Sequence, residues 1–345
     1  MILKTGLIRR RRKRIERKRV AIIGGGSWPT ALAKLFLNHV DSLTWYIRNP
    51  EDVEYFKKHG CNPKYLSSMQ LPVHKVIFTS DIKEAIANND VLLFGIPSAF
   101  LHQSLNDLHP DDFKDKFIIS AIKGIIPENL MVITDYFNQI FDISYNNMAI
   151  ISGPCHAEEI ASERLSYLTV ASKKRSKAES LSQLLVCDYI HTIISRDIIG
   201  IEYAAILKNI IAIGSGICHS IGYGDNFQAV LVSNAIREMK RFIDEVDAEK
   251  RTVDSSAYLG DLLVTAYSQY SRNRTFGTMI GKGYSVKSAS LELNMIAEGY
   301  YASKCIHEIN LKEKVKLPII ETVYQILYEN KPAAIAIKEL TVQLH

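Results

Sequence analysis

The chain has 345 residues, 47% of them apolar and 23% charged; this composition excludes a disordered or low-complexity chain, and the length calls for two domains. Five cysteines, Cys61, Cys155, Cys187, Cys218 and Cys305, are scattered without a C-x-x-C pair, which excludes a disulfide scaffold or zinc finger and fits a reducing compartment. The net charge of +5 conceals a division, because residues 1–19 hold ten Lys/Arg against Glu16 while the other 326 residues carry 32 basic and 36 acidic side chains.

The folded body is therefore mildly acidic and lacks the basic character of a specific nucleic-acid binder. The basic head, residues 1–18, reads as a disordered extension or as translation from an upstream start. By electrostatics alone it could touch an anionic polymer or membrane surface. No apolar h-region follows it, which argues against a secretory signal. No apolar run approaches the ~18–20 residues that cross a bilayer, so no transmembrane segment is expected.

The first predicted strand is Arg19–Ile23, followed by Gly24-Gly25-Gly26-Ser27-Trp28-Pro29 and a helix from Thr30 to about Asn38. Leu43–Ile47 and Ile77–Phe78 read as strands two and three, with a helix at Asp81–Ala87 begun by Ser80 or Asp81. The continuous apolar runs Val91–Ile96 and Phe117–Gly124 have the pattern of central parallel strands covered on both faces. A helix is expected from about Pro127. Met148–Gly153, Tyr167–Ala171 and Tyr189–Ile194 are further strands with helices between them. The alternation predicts a Rossmann-type, doubly wound α/β domain over 19–195. Beyond Ser195 only helical periodicity is visible, at Gly200–Ile221, Asn226–Glu245, Ser256–Tyr267, Ser285–Ser290, Ala297–Ile309 and Leu317–Tyr328. Residues 196–340 therefore read as an all-helical second domain.

A strand, a glycine cluster and a helix start, in that order, make a pyrophosphate site: glycines admit the phosphates to the backbone, and the helix amides supply positive potential. Gly24 and Gly26 occupy the first two positions of G-x-G-x-x-G, and Pro29 replaces the third glycine. Proline is tolerated in a first helical turn, but its ring could alter close helix–strand packing. The NAD-selective carboxylate expected about 20 residues on is missing from Tyr46-Ile47-Arg48-Asn49. Arg48 could accept a 2′-phosphate instead, which favours NADP or tolerance of both nicotinamides.

Six segments occur in a telling order: GGGSWPTALA at 24–33, AIKGI at 121–125, SGPCHAEEIA at 152–161, GIEYAAILKNIIAI at 200–213, LGDLLVTAYSQYSRNRTFG at 259–277 and AEG at 297–299. Across about 19–340 they resemble the NAD(P)-dependent glycerol-3-phosphate dehydrogenases of the bacterial type. The resemblance implies a Rossmann-type domain with a 6-phosphogluconate-dehydrogenase-like helical domain. It also implies reduction of dihydroxyacetone phosphate to sn-glycerol 3-phosphate in the cytoplasm, for phospholipid synthesis. The cofactor would be NADP or NAD, with no metal, and a homodimer is one arrangement it allows.

The resemblance makes Lys208 the proton acceptor, and general acid–base chemistry suits a lysine whose ammonium is disfavoured by burial or a neighbouring cation. Asn209 could orient it. Lys123, at the end of a buried strand, would contact cofactor and substrate. Ser271, Arg272 and Asn273 match the phosphate-binding triplet, in which the Arg272 fork suits phosphate. Asp261 matches a substrate-site acid, and could also cap a helix after Gly260. Gly153 and Cys155 stand where the family has G-P-S, the thiol being a weaker donor than serine. Ser27, Trp28, Ala157, Ile296 and Glu298 join Gly24, Gly26, Arg48, Lys123 and Arg272 as cofactor contacts. Another two-domain dehydrogenase, acting on a hydroxy acid or sugar acid, would not need the 271–273 triplet. A non-catalytic cofactor-binding regulator would not be expected to keep both lysines.

Overall fold

The computed structural model describes residues 18–293 and 296–345. All of the basic head except Lys18 lies outside them. The chain forms two units. The first comprises the described residues up to Ile96, Phe100–Ile122 and Thr134–Ile198; the second comprises Pro97–Ala99, Lys123–Ile133 and Ile199–His345.

The first unit is built on β1 (Val20–Ile23), β2 (Leu43–Tyr46), β3 (Val76–Thr79), β4 (Val91–Phe94), β5 (Phe117–Ser120), β6 (Met148–Ser152), β7 (Ser166–Ala171) and β8 (Ile190–Ser195). They form one sheet in the order β3-β2-β1-β4-β5-β6-β7-β8. The fold is the α/β, Rossmann-type one the sequence predicts. β1, β4, β5 and β6 are buried at every residue, as uninterrupted apolar runs require of central parallel strands. The edge strands β3 and β8 interleave exposed positions, among them Ile77 and Ile193. Around the sheet lie α1 (Ser27–Leu37), α2 (Pro50–His59), α3 (Ile82–Ala87), α4 (Ser98–Leu105), α5 (Ile133–Phe141), α6 (Ala157–Ala161) and α7 (Arg175–Ser182); the first two residues of α4 group with the second unit.

One local expectation is corrected, and one strand has a direction that was not foreseen. The segment after Pro127 is a loop closed by the Ile126–Met131 bridge, and its helix starts only at Ile133. β7 runs antiparallel to β6, pairing Ser152 with Thr169, whereas every other neighbouring pair is parallel. The only helix between them, α6, has five residues and advances roughly 7.5 Å, too little to return the chain along the sheet.

The second unit contains α8 (Ile198–Ser220) from Ile199 onward, α9 (Asp225–Val246), α10 (Asp261–Tyr267), α11 (Arg272–Gly281), α12 (Val286–Leu293), α13 (Glu298–Glu313), α14 (Pro318–Tyr328) and α15 (Ala333–Thr341). The helix expected over Ser256–Tyr267 is divided: Ser256–Gly260 form a wider π turn before α10 begins at Asp261. α8 is mostly apolar and is buried on every side from Ile201 to Cys218, the mark of a central helix. By length and composition it could cross a membrane, although 94% of its most apolar stretch is buried. The sequence expectation counted unbroken apolar runs, which Glu202 and Lys208-Asn209 interrupt. α11 and α13 approach α8 through glycines. A Cβ on Gly277 would strike the carbonyl of Ile213, and one on Gly299 would lie 2.5 Å from that of Asn209. Backbone contact this close sets the height at which each helix meets α8.

Candidate active site

In the first unit, β1 ends at Ile23 and the chain turns at Gly24 with φ +132°, a conformation L side chains rarely adopt. A Cβ there would lie 2.8 Å from the carbonyl of Gly95. Backbone thus meets backbone beyond β1 and β4, where the strand order reverses and doubly wound sheets bind ligands. The Gly24 amide donates to Tyr46 O at 3.1 Å, and its carbonyl accepts from Trp45 Nε1 at 2.8 Å. α1 starts at Ser27 with Gly26 as its N-cap. Pro29 sits in the first turn, where an amide hydrogen would have no intrahelical acceptor. A Cβ on Gly95 would collide with its ring. The close helix–strand approach is therefore kept, with the glycine moved from the helix to the exit of β4. Side-chain-free backbone beside a helix N-terminus fits a dinucleotide pyrophosphate.

Arg48 is exposed just past β2, and Asn49 caps α2 by accepting from Glu51 N at 3.0 Å. Burial pushes the Tyr46 hydroxyl above its ordinary range, while the Arg48 charge pulls it back. Gly153, beyond β6, has φ +101°. The buried Cys155 thiol donates to its carbonyl at 3.1 Å. Ala157 is the buried first residue of α6.

In the second unit, Lys123, Lys208 and Asp261 come together from positions far apart in sequence. Lys208 Nζ, on α8, donates to Asp261 Oδ1 at 2.6 Å and to Thr265 Oγ1 at 2.9 Å. Lys123 Nζ donates to the other oxygen, Oδ2, at 3.3 Å. The side chains of Lys208 and Asp261 are 6% and 1% exposed, and that of Lys123 is 17% exposed. Two lysines thus converge on the two oxygens of one carboxylate. Asp261 and Thr265 stand one turn apart on α10, and the Thr265 hydroxyl donates to Asp261 O at 2.6 Å. Asp261 opens α10, but its carboxylate is spent on the lysines, and no side chain caps that helix. Asn209 does not orient Lys208 as anticipated; its Nδ2 donates to the Lys123 carbonyl at 2.8 Å and positions that strand exit instead.

Gly124 follows because a Cβ there would fall on Glu298 Oε2 and Ser98 Oγ. Ser98 N donates to Glu298 Oε1 at 3.0 Å, and its hydroxyl donates to Oε2. Burial holds the Glu298 carboxyl above its ordinary range; the two Ser98 bonds and the Arg272 charge pull it down. Ile296, half-buried, precedes α13. Ser271 caps α11, its Oγ accepting from Arg274 N at 3.3 Å, so Arg272 and Asn273 occupy a helical first turn that the sequence reading did not anticipate. Asn273 Oδ1 accepts from Gly299 N at 3.0 Å. Thr265 and Ser98 were not singled out from sequence either; the only signal was the i, i+4 spacing of Asp261 and Thr265.

A glycine-loop parallel sheet and a helical unit with a buried two-lysine centre define a two-domain dehydrogenase that works with a bound dinucleotide. Family models described as the N-terminus and C-terminus of NAD-dependent glycerol-3-phosphate dehydrogenase match residues 19–178 and 197–338. The chain belongs to this family. A protein of Agathobacter rectalis named glycerol-3-phosphate dehydrogenase [NAD(P)+] is 34% identical, the alignment covering 94% of this chain and 96% of that one. One of the same name from Staphylococcus aureus is 31% identical, with 93% and 97% covered. The crystal structure of glycerol-3-phosphate dehydrogenase from Coxiella burnetii superposes with a TM-score of 0.87 at 26% identity, covering 94% of this chain and 99% of that one.

Proposed function

We propose that the chain is an NAD(P)-dependent sn-glycerol-3-phosphate dehydrogenase, interconverting dihydroxyacetone phosphate and sn-glycerol 3-phosphate in the cytoplasm to supply glycerophospholipid synthesis. The observation that carries the reading is the Asp261 carboxylate held between Lys123 and Lys208, in a chain whose relatives bear that enzyme's name. The reduced nicotinamide, when bound, supplies a hydride to the carbonyl carbon. Lys208 supplies the proton to the carbonyl oxygen and takes it back in the reverse direction. Asp261 and Thr265 fix the position of Lys208 Nζ, and Lys123 adds a second positive charge to stabilise the developing alkoxide.

Arg272 would grip the phosphate. Ser271 and Asn273 already accept bonds through their oxygens, so what they offer the phosphate is a hydroxyl proton and an amide NH2. The reading assigns further substrate contacts to Gly153 and Cys155. It assigns cofactor contacts to Gly24, Gly26, Ser27, Trp28, Arg48 and Ala157, and to Lys123, Arg272, Ile296 and Glu298. Arg48 and the absence of a carboxylate at 46–49 support use of NADPH. The domains are proposed to divide at 19–195 and 196–340.

The test is oxidation of NADPH and NADH by purified protein with dihydroxyacetone phosphate, against dihydroxyacetone and pyruvate. Turnover is expected only with the phosphorylated ketone. Comparable turnover with pyruvate would overturn the substrate assignment.

A further inference from the structure

Asn62 is a buried polar side chain in the connection between α2 and β3, two residues beyond the left-handed cap Gly60. Its amide has two N–H donors and an oxygen with two lone pairs, and all four are used. Nδ2 donates to Gly25 O at 3.0 Å and to Thr30 Oγ1 at 2.9 Å. Oδ1 accepts from Lys64 N at 2.9 Å and Tyr65 N at 3.0 Å. A carbonyl at one end and two backbone amides at the other allow only this orientation of the amide.

The bonds reach further than Gly25. The Thr30 hydroxyl that receives Asn62 donates in turn to Gly26 O at 2.7 Å, beside the helical bond from Thr30 N at 3.1 Å. Trp45 Nε1 holds Gly24 O. Three consecutive carbonyls, at 24, 25 and 26, are thus drawn inward by side chains of the fold. In a planar trans peptide the N–H of the next residue points opposite to the carbonyl. The amides of Gly25, Gly26 and Ser27 are therefore turned the other way, as an anion-binding row of donors.

We infer that Asn62 is a positioning residue for the dinucleotide: it sets the peptide planes of the glycine loop so that its amides face the pyrophosphate. The inference rests on the proposed cofactor site. It adds a dependence that the glycine motif does not contain, because the segment from Asn62 to Tyr65 becomes part of the cofactor site without touching the cofactor. Lys64 ties the same segment to α2 through Asp52 at 2.7 Å, so the clamp is anchored at both ends. An aspartate at 62 could not substitute, since it would set a carboxylate against the Gly25 carbonyl and add negative charge behind the phosphates.

Calorimetric titration of NADPH and NADH into purified wild type, Asn62→Ala, Asn62→Asp, Thr30→Val and Thr30→Ser tests this, with thermal melts of each protein. Wild type is expected to bind. Asn62→Ala and Thr30→Val should weaken dinucleotide affinity by about tenfold, and Asn62→Asp by more. Thr30→Ser, which keeps the hydroxyl, should stay within about twofold of wild type. In Asn62→Ala the loss should fall mainly on the KM for NADPH, so that raising the cofactor concentration recovers most of the turnover; a merely structural defect would lower the melting temperature without this split. If Asn62→Ala does not fold, the Thr30→Val and Thr30→Ser pair decides the matter alone. Equal affinity of folded Asn62→Ala or Thr30→Val and a binding-competent wild type overturns the inference while leaving the cofactor site standing. A wild type that binds neither nucleotide overturns the cofactor reading itself.

Discussion

Single side chains carry the chemistry. Lys208→Ala should reduce turnover by at least ~10²–10⁴-fold while leaving the NADPH dissociation constant close to wild type, because the lysine is bonded to Asp261 and Thr265 and the glycine loop is held by other residues. Steady-state kinetics beside a binding titration reads both, and a variant keeping a tenth of the turnover would remove Lys208 from the mechanism. Arg272→Ala should raise the KM for dihydroxyacetone phosphate about 10- to 150-fold and lower kcat as well, since a charge-assisted bond to a dianion is lost and with it the orientation of a three-carbon substrate. Lysine at 272 should rescue only part of this, as it lacks the planar fork. A KM within twofold of wild type would place the phosphate elsewhere. Lys123, Lys208 and Asp261, which the structure brings together, could be picked out in sequence because each lies in a short run of characteristic spelling. Asn62, Thr265 and Ser98 could not, because the partners that give them a role at the site lie 37, 57 and 200 residues away.

At the scale of elements, the strands were readable wherever burial on both faces demands an unbroken apolar run. The reversal of β7 was not, since it depends on how far a five-residue helix carries the chain. α11 escaped notice because it opens on Arg-Asn-Arg-Thr and owes its place to Gly277 against α8. A related dependence gives α14 its start. Its N-cap Leu317 has no capping side chain, and Glu238 of α9 accepts from Ile319 N at 3.0 Å and Ile320 N at 2.9 Å instead. Burial pushes the Glu238 carboxyl from its ordinary 4.5 up to about 7, against the pull of those two amides. The folded chain therefore holds this proton more tightly than the unfolded one. The stabilisation is fully present below pH 4.5 and is lost as pH rises toward about 7, a change of about 3 kcal/mol. Denaturant unfolding of wild type and Glu238→Gln at pH 5 and pH 8 should show the wild type losing ground to the variant at the higher pH. A constant difference between them would mean that Glu238 keeps the same charge in both states.

For the whole molecule, the charge is divided between a basic head and a mildly acidic body. Deleting residues 1–18 should leave turnover and cofactor affinity unchanged, because β1 begins at Val20 and the catalytic groups lie further on. Retention on a polyanion column should fall and lose its salt dependence in the truncated protein; a truncated protein with lower turnover at fixed salt would refute this. The chain also has two tryptophans in all, and both belong to the glycine loop and its support. Trp28 lies in the first turn of α1, and the Trp45 indole holds the Gly24 carbonyl beneath it. Tryptophan emission, excited at the red edge of the absorption band where the 17 tyrosines do not absorb, therefore comes from one place, the floor of the proposed dinucleotide site. A reduced nicotinamide bound there absorbs where indole emits, so docking should quench nearly the whole signal by energy transfer. The enzyme thus carries its own optical gauge of cofactor occupancy, with no dye to attach and no background from a distant tryptophan.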